Sequence, residues 1–445
     1  MKRGRAAPRV AAGLMAMGLL AGCATLAAPV RNERLVLGVQ THFAYDRSVN
    51  ATRVIEWVKA ARIDSTRDEM FWNEIEDGKG IFAIRNGAEF TRQAWWNQLP
   101  ATSPLLILGY GHPRYDAGGQ PSTPAAVSAF AKQAAWLVGQ TRLRVRMVEI
   151  WNEWNLKAGA NAAGGAQGGA ADYVRLARAT RQMIKAVDPG VLVLVGGIGE
   201  DFPDWRWMNE ALALGLLEGA DGVSVHLYNH CDRANVGADE MLRRLERLQT
   251  LLTRAAKREM PIFLTEVGWP MHRGACEVSE DNAGTFTLRL LLEASQRAWL
   301  KGVWFYETID SGDDANEREQ RFGLLRRDGS ERPAGCVVRE FGAIIAGRPA
   351  QVLRQAGATV AVYQDTGRSL VFVWGREGGR SSRVLIRTAA LADPPLAASP
   401  TPCQWKGGAV TVAAPHLELR SQLDPARPAV FVLPRLVTIE GVQID

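Results

Sequence analysis

Between Glu33 and Gly347 the chain switches eight times between a short β-branched or aliphatic run and a longer stretch whose apolar residues fall at helical spacing. That rhythm constrains the fold more than any other feature, because a strand, a crossover helix and a second strand build a parallel sheet. Strands are expected at 34–40, 62–68, 104–110, 145–152, 191–197, 222–227, 261–266 and 302–307. Helices are expected at 123–139, 171–187, 238–256, 282–298 and 332–346, and Asp188-Pro189-Gly190 stops one of them before the next strand. Eight such units over roughly 310 residues suit an α/β fold of the (β/α)8 TIM-barrel type, enlarged by loops over a typical length of about 250. An open doubly wound sheet would want a glycine-rich dinucleotide turn after an early strand. Gly159 to Gly169 reads instead as a flexible loop, and Gly196-Gly197 lacks the fingerprint.

After residue 347 the texture changes to short alternating runs at 359–364, 369–374, 383–387, 410–413 and 429–433, separated by Gly, Pro and Ser. This is the pattern of a small C-terminal antiparallel β-sandwich, so a barrel at 33–347 is followed by a second domain at 348–445. Trp374 and Trp405 are its only pointers to a sugar-binding face, and core positions explain them equally well.

The first 22 residues carry Lys2, Arg3, Arg5 and Arg9 and then an apolar run from Val10 to Leu20, too short for the roughly 20 residues of a spanning helix. They read as an export signal. Leu20-Ala21-Gly22-Cys23 resembles the bacterial lipobox, in which the Cys23 thiol is acylated and becomes the new N-terminus, with 23–32 as a tether. The protein is therefore expected to be an exported, membrane-anchored lipoprotein facing the periplasm or the cell surface. The whole chain has a formal net charge of +6, and the four leader cations account for all but +2 of it. Arginines are scattered among acids, so no basic face for nucleic acid is expected. Four cysteines remain, Cys231, Cys276, Cys336 and Cys403. In an exported chain they suggest disulfides, Cys231 with Cys276 being favoured because both fall in neighbouring rim loops; four free thiols are the alternative. No metal-ligand spacing is present, and neither a metal nor another cofactor is expected.

Barrel active sites lie where the C-terminal strand ends converge. The fourth strand candidate ends Val148-Glu149-Ile150-Trp151-Asn152-Glu153-Trp154, and the seventh ends Leu264-Thr265-Glu266-Val267-Gly268-Trp269. Each closes an apolar run with a glutamate beside a tryptophan, where a carboxylate costs several kcal/mol unless something uses it. Two carboxylates across one mouth are what glycoside cleavage needs, one protonating the leaving oxygen while the other attacks the anomeric carbon or activates water. Trp154 is expected to keep Glu153 protonated by desolvation. Arg67 on the second strand and Tyr228 after the sixth are expected to hold Glu266 ionised, with Asn152 on a sugar hydroxyl.

Asn-Glu on strand four, Glu on strand seven, Arg on strand two and His226-Leu227-Tyr228 on strand six together resemble the clan A retaining glycoside hydrolases. Glu-Ile-Trp-Asn-Glu-Trp-Asn, Leu-Thr-Glu-Val-Gly-Trp, and Phe322-Gly323-Leu324-Leu325 to Asp328-Gly329-Ser330 look most like family 39 and, among its relatives, the Psl-type hydrolases encoded with biofilm exopolysaccharide systems. The resemblance implies Glu153 as acid/base and Glu266 as nucleophile, about 5 to 5.5 Å apart, with Asn152, Arg67, His226 and Tyr228 lining the first sugar subsite. It also implies a polysaccharide substrate, internal cleavage and proximity to export machinery.

Fourteen tryptophans fit the same picture, since indoles pack on the apolar faces of sugars. Trp154 and Trp269 lead the expected subsites, Trp72, Trp205 and Trp207 fall in other rim loops, and Trp304 and Tyr306 compete on strand eight. Gln40, His42, Tyr110 and His112 close strands one and three and are further candidates. Two readings compete with endo-hydrolysis: an exo-acting glycosidase, and a binding barrel that has lost catalysis.

Overall fold

The computed structural model describes residues 34–444, apart from 45, 47, 143, 157–167, 200, 356, 376–381, 389–402, 404–408, 414–415, 424–426 and 434–435. The proposed leader, tether and Cys23 lie outside the described residues. Eight parallel strands close into a barrel in chain order: β1 (Val36–Gln40), β2 (Ser65–Phe71), β3 (Leu105–Gly109), β4 (Met147–Ile150), β5 (Leu192–Gly199), β6 (Gly222–Leu227), β7 (Ile262–Val267) and β8 (Leu300–Phe305). β8 closes the barrel on β1, with Leu37 opposite Val303. The expected strands are all present, β2 beginning three residues later than expected. The outer helices earn their places by periodicity and caps. In Ala238–Ala256, Met241, Leu245, Leu248 and Leu252 form one buried stripe, and the Thr123 and Ser279 side chains accept from the backbone N–H groups of Ala126 and Asn282. Among the described residues no helix is long and apolar enough to cross a membrane.

Inward-facing positions alternate along each strand, which stacks the barrel interior in layers. The lowest is apolar: Val36, Leu105, Met147, Leu194 and Phe263 surround Trp304. Gly38 and Gly302 make room for that indole, since a Cβ on either would come within 2.4 Å of its ring. One step up the same strands the interior turns ionic, with Arg67, Glu149 and His226 all fully buried.

The C-terminal domain is a sandwich of two antiparallel sheets. One has the order β15-β11-β10-β9, from β9 (Gln351–Gln355), β10 (Ala358–Asp365), β11 (Arg368–Gly375) and β15 (Ala429–Leu433). The other runs β13-β14-β12-β16, from β12 (Ser382–Thr388), β13 (Ala409–Ala413), β14 (His416–Leu423) and β16 (Ile439–Ile444). Three of these strands, β9, β14 and β16, were not expected. Val360, Val362, Val371, Val373 and Phe431 face Val384, Ile386 and Leu419 between the sheets. The opposite face of β10 and β11 packs on the barrel, where Phe372 meets Phe341 edge-on and Trp374 donates from Nε1 to Glu293. Trp374 is therefore an interface residue rather than part of a sugar-binding face, and Trp405 lies outside the described residues.

Two disulfides are formed. Cys231–Cys276 ties the loop after β6 to the loop after β7, as favoured from the sequence, and Cys336–Cys403 ties the last barrel helix to the sandwich.

Candidate active site

Four local departures from regular strand geometry aim the acidic side chains. Glu153 follows β4 with φ +50°, and Trp151 two residues earlier has φ +66°; each left-handed residue costs roughly 1 to 2 kcal/mol. The Glu153 N–H donates to the Gly197 carbonyl at 2.6 Å. β5 bulges between Gly196 and Ile198, and a Cβ on Gly199 would stand 2.6 Å from Glu153 Oε1, so this glycine leaves the space that the carboxylate fills. β7 also slips register against both neighbours around residues 264–267. The slip breaks its two-residue period, so that Thr265 and Glu266 both contact interior groups.

Glu153 and Glu266 face each other across a cavity of about 660 Å³ at the barrel mouth. One carboxylate oxygen from each and a ring nitrogen of His226 all lie within 4.8 Å of one another. Arg67 Nη1 donates to Glu266 Oε1 at 2.6 Å and the Tyr228 hydroxyl donates to Oε2 at 2.8 Å. Burial pushes the Glu266 carboxyl up, but His226, Arg67 and the Tyr228 hydrogen bond outweigh it and hold the group below the usual carboxylate range. Arg67 Nη2 also donates to Asn152 Oδ1 at 2.9 Å, which leaves the Asn152 amide N–H groups as donors at the cavity wall. His226 Nδ1 lies within hydrogen-bond distance of Glu153 Oε1 at 3.1 Å, and its Nε2 lies 3.1 Å from Arg67 Nη2. Burial and the nearby guanidinium oppose a second ring proton, whereas Glu266, Glu149 and Glu153 favour it; the carboxylates win and push the imidazole up to about 9.

Glu149, missed in the sequence reading, is the hidden member of this set. It is fully buried below the mouth, accepts from Arg67 Nε at 2.8 Å and from Thr265 Oγ1 at 2.7 Å, and is held far below the ordinary range because Arg67 and His226 outweigh its burial. A lone acid inside the apolar run Val148-Glu149-Ile150 marks the position, but only the closed barrel shows that it faces the interior.

None of the tryptophans expected at the sugar subsites lines the cavity. Trp154 turns away from Glu153, donates to the Gly169 carbonyl and packs on Trp151 and Tyr173, so it does not desolvate the acid. Trp269 donates to Asn229 Oδ1 and lies on Phe286. Trp304 fills the floor of the barrel and donates to Ser65 Oγ. Trp72, Trp205 and Trp207 are buried as well. Residues 304 and 306 both point inward, having the same parity, but only Tyr306 reaches the mouth. The aromatic lining is instead Phe71, Tyr110, Tyr228, Tyr306 and Phe322. Gln40 and His42 line the cavity too, whereas His112 is held beneath the loops by the Glu76 carbonyl and the Arg114 N–H.

Among the described residues one group has the density to ligate a cation, Glu153, His226 and Glu266. The fixed charge of Arg67 competes for the same Glu266 oxygen.

Among solved structures, the chain is similar to a family 39 glycoside hydrolase from the gut symbiont Bacteroides cellulosilyticus, with TM-score 0.66 and 19% identity over 91% of this chain and 82% of that one. A monomeric β-xylosidase from Caulobacter crescentus matches at TM-score 0.61 and 15% identity, covering 92% and 98% of the two chains. A family 39 enzyme from Xanthomonas axonopodis pv. citri matches at TM-score 0.61 and 17% identity, covering 93% and 96%. The chain has the fold of the family 39 glycoside hydrolases. By sequence alone no family model matches, and no curated protein does.

Proposed function

We propose that the protein is a retaining glycoside hydrolase with Glu266 as nucleophile and Glu153 as acid/base. The observation that carries this reading is the pair of carboxylates with oxygens within 4.8 Å across one cavity, Glu266 kept ionised by Arg67 and Tyr228. An inverting pair stands about 6.5 to 9.5 Å apart to admit a water between carboxylate and sugar, whereas a retaining pair needs only about 5 to 5.5 Å. Glu266 attacks the anomeric carbon as the bond to the leaving oxygen breaks, and Glu153 gives its proton to that oxygen. A water then loses a proton to Glu153 and adds to the same carbon, releasing Glu266. Asn152 is positioned to donate to the neighbouring hydroxyl as positive charge develops on the ring.

The substrate is proposed to be a bacterial exopolysaccharide cleaved internally. A second cavity of about 720 Å³, lined by Phe202, Asn229, Arg233 and Arg244, adjoins the first across Tyr228, His230 and Arg318. It lies at the ends of β5 and β6 and offers room for further sugars of the chain. Two disulfides support an oxidising compartment, in keeping with export and an anchor at Cys23. The test is stereochemical. Proton NMR of the first-formed product from an exopolysaccharide panel should show retained configuration, and a 2-deoxy-2-fluoro glycoside should add its glycosyl mass at Glu266; an inverted product overturns the assignment.

A further inference from the structure

Across the cavity from the second groove, at the mouths of β1, β2 and β8, lies a cluster that the cleavage chemistry does not use. Gln40 Nε2 donates to Glu69 Oε1 at 3.2 Å, and His42 stands 3.5 Å from Glu69 on one side and 3.5 Å from Glu307 on the other. The Ser311 N–H donates to Glu307 Oε1 at 3.1 Å. All four side chains line the catalytic cavity. Glu69 is only 7% exposed, yet its Oε2 accepts no hydrogen bond from an N–H or alcohol group of the protein, the neighbouring Asp68 carboxyl being itself an acid. A buried carboxylate oxygen left this way costs free energy that a donor from outside would recover.

Resting on the hydrolase reading above, we propose that Glu69, steadied by Gln40 and His42, accepts a hydroxyl hydrogen bond from an uncharged sugar ring bound on the glycone side, with Glu307 meeting the adjacent hydroxyl. The charges around the ring favour this class of ligand. Burial alone pushes Glu69 up, but His42 and Arg67 hold it below the usual range as an anion. His42 loses by burial but gains more from Glu69 and Glu307, and is pushed up to about 9. Glu307 is pushed up to about 8 by burial and so keeps a proton to donate at neutral pH. A uronate carboxylate standing in the place of that hydroxyl would face the Glu69 anion with no proton to offer it, whereas a neutral hydroxyl pair meets one acceptor and one donor.

The test pairs a protein change with a substrate change. Probes are p-nitrophenyl glycosides of glucose, galactose, mannose and xylose in both anomers, their 3-deoxy and 4-deoxy forms, and the matching glucuronides. With the unaltered protein, one deoxy form should lose about 10- to 150-fold in kcat/KM, the range of a hydrogen bond to a charged group. The uronide should lose more. Glu69→Gln should lose a similar factor on the parent glycoside and almost nothing further on that deoxy form, whereas general damage to the site would multiply the two losses. Equal losses on both substrates, or a uronide cleaved as fast as its neutral counterpart, would overturn the inference while leaving the hydrolase reading intact. Neutral sugars that bind by saturation-transfer NMR more weakly to Glu69→Gln, with no turnover of any probe or of the exopolysaccharide panel, would overturn the hydrolase reading and uphold the inference. Neither turnover nor binding overturns both.

Discussion

The lower and upper layers inside the barrel are built on the same eight strands and solve the problem of filling a closed cylinder in opposite ways. Below, Trp304 is wedged against two glycines and ringed by aliphatic side chains, and every contact favours folding. Above, Arg67, Glu149, Glu266 and His226 bring charges out of water, where attraction between partners barely offsets desolvation. The difference teaches that stability and chemistry are segregated by height along the strands. The apolar floor stabilises the cylinder, and the ionic layer above it spends that stability on a pre-aimed carboxylate.

The largest expected effect falls on the upper layer. Glu266→Gln should lower kcat by about 10⁴-fold or more, out of proportion to the modest fall in melting temperature expected from removing one partner of Arg67, as followed by polysaccharide cleavage and calorimetry. Next comes a direct contrast between layers. Arg67→Met leaves Glu149 and Glu266 uncompensated and should cost about 3 to 5 kcal/mol in urea unfolding. Trp304→Ala should cost a similar amount through its cavity. Only Arg67→Met should lose activity per folded molecule; equal loss in both would erase the segregation. Gly199→Ala sharpens the contrast further, since its methyl displaces Glu153 without touching the floor, and a fall of roughly 10-fold in kcat with little change in unfolding is expected.

The smallest effect is a pH dependence that belongs to the charged groups alone. His226 and His42, both pushed up to about 9, contribute stability that is complete below their unfolded value near 6.5 and is lost as pH climbs through 9. Glu307, pushed up to about 8, begins to lose its contribution above its ordinary value near 4.3 and has lost it by about pH 8. Glu149 and Glu266, held low, contribute stability above their ordinary range near 4.3 that is lost as pH falls. Melting temperature should therefore peak near pH 4.5, decline gently to about pH 6.5 and fall more steeply above it. Trp304→Ala should lower the curve without reshaping it, and a reshaped curve would tie the floor to the ionic layer.

The barrel, its order and the two mouth glutamates were legible because strand period and strand ends are written locally, in runs such as Val223 to Leu227 and Phe263 to Glu266. The fate of the tryptophans was not. Whether an indole faces a cavity or a helix depends on register and on which side of a bulge it falls, and Trp154 and Trp269 lie just beyond strand ends where parity gives no guide. Glu149 and Glu69 escape a reading of strand ends for a related reason: they sit inside strands rather than at their ends, and only the closed barrel reveals that both face inward. In the sandwich, β9 and β16 are partly exposed edge strands whose Gln351, Arg354, Glu440 and Gln443 blur the alternation.

The bridge between Cys336 and Cys403 has a topological consequence. It closes a covalent ring of chain through the junction at 347–350, so one protease cut there leaves both halves in a single molecule. Cleaved protein should run as two fragments on a gel only after a thiol is added, and the sandwich can be shed from the barrel only where that bridge is reduced.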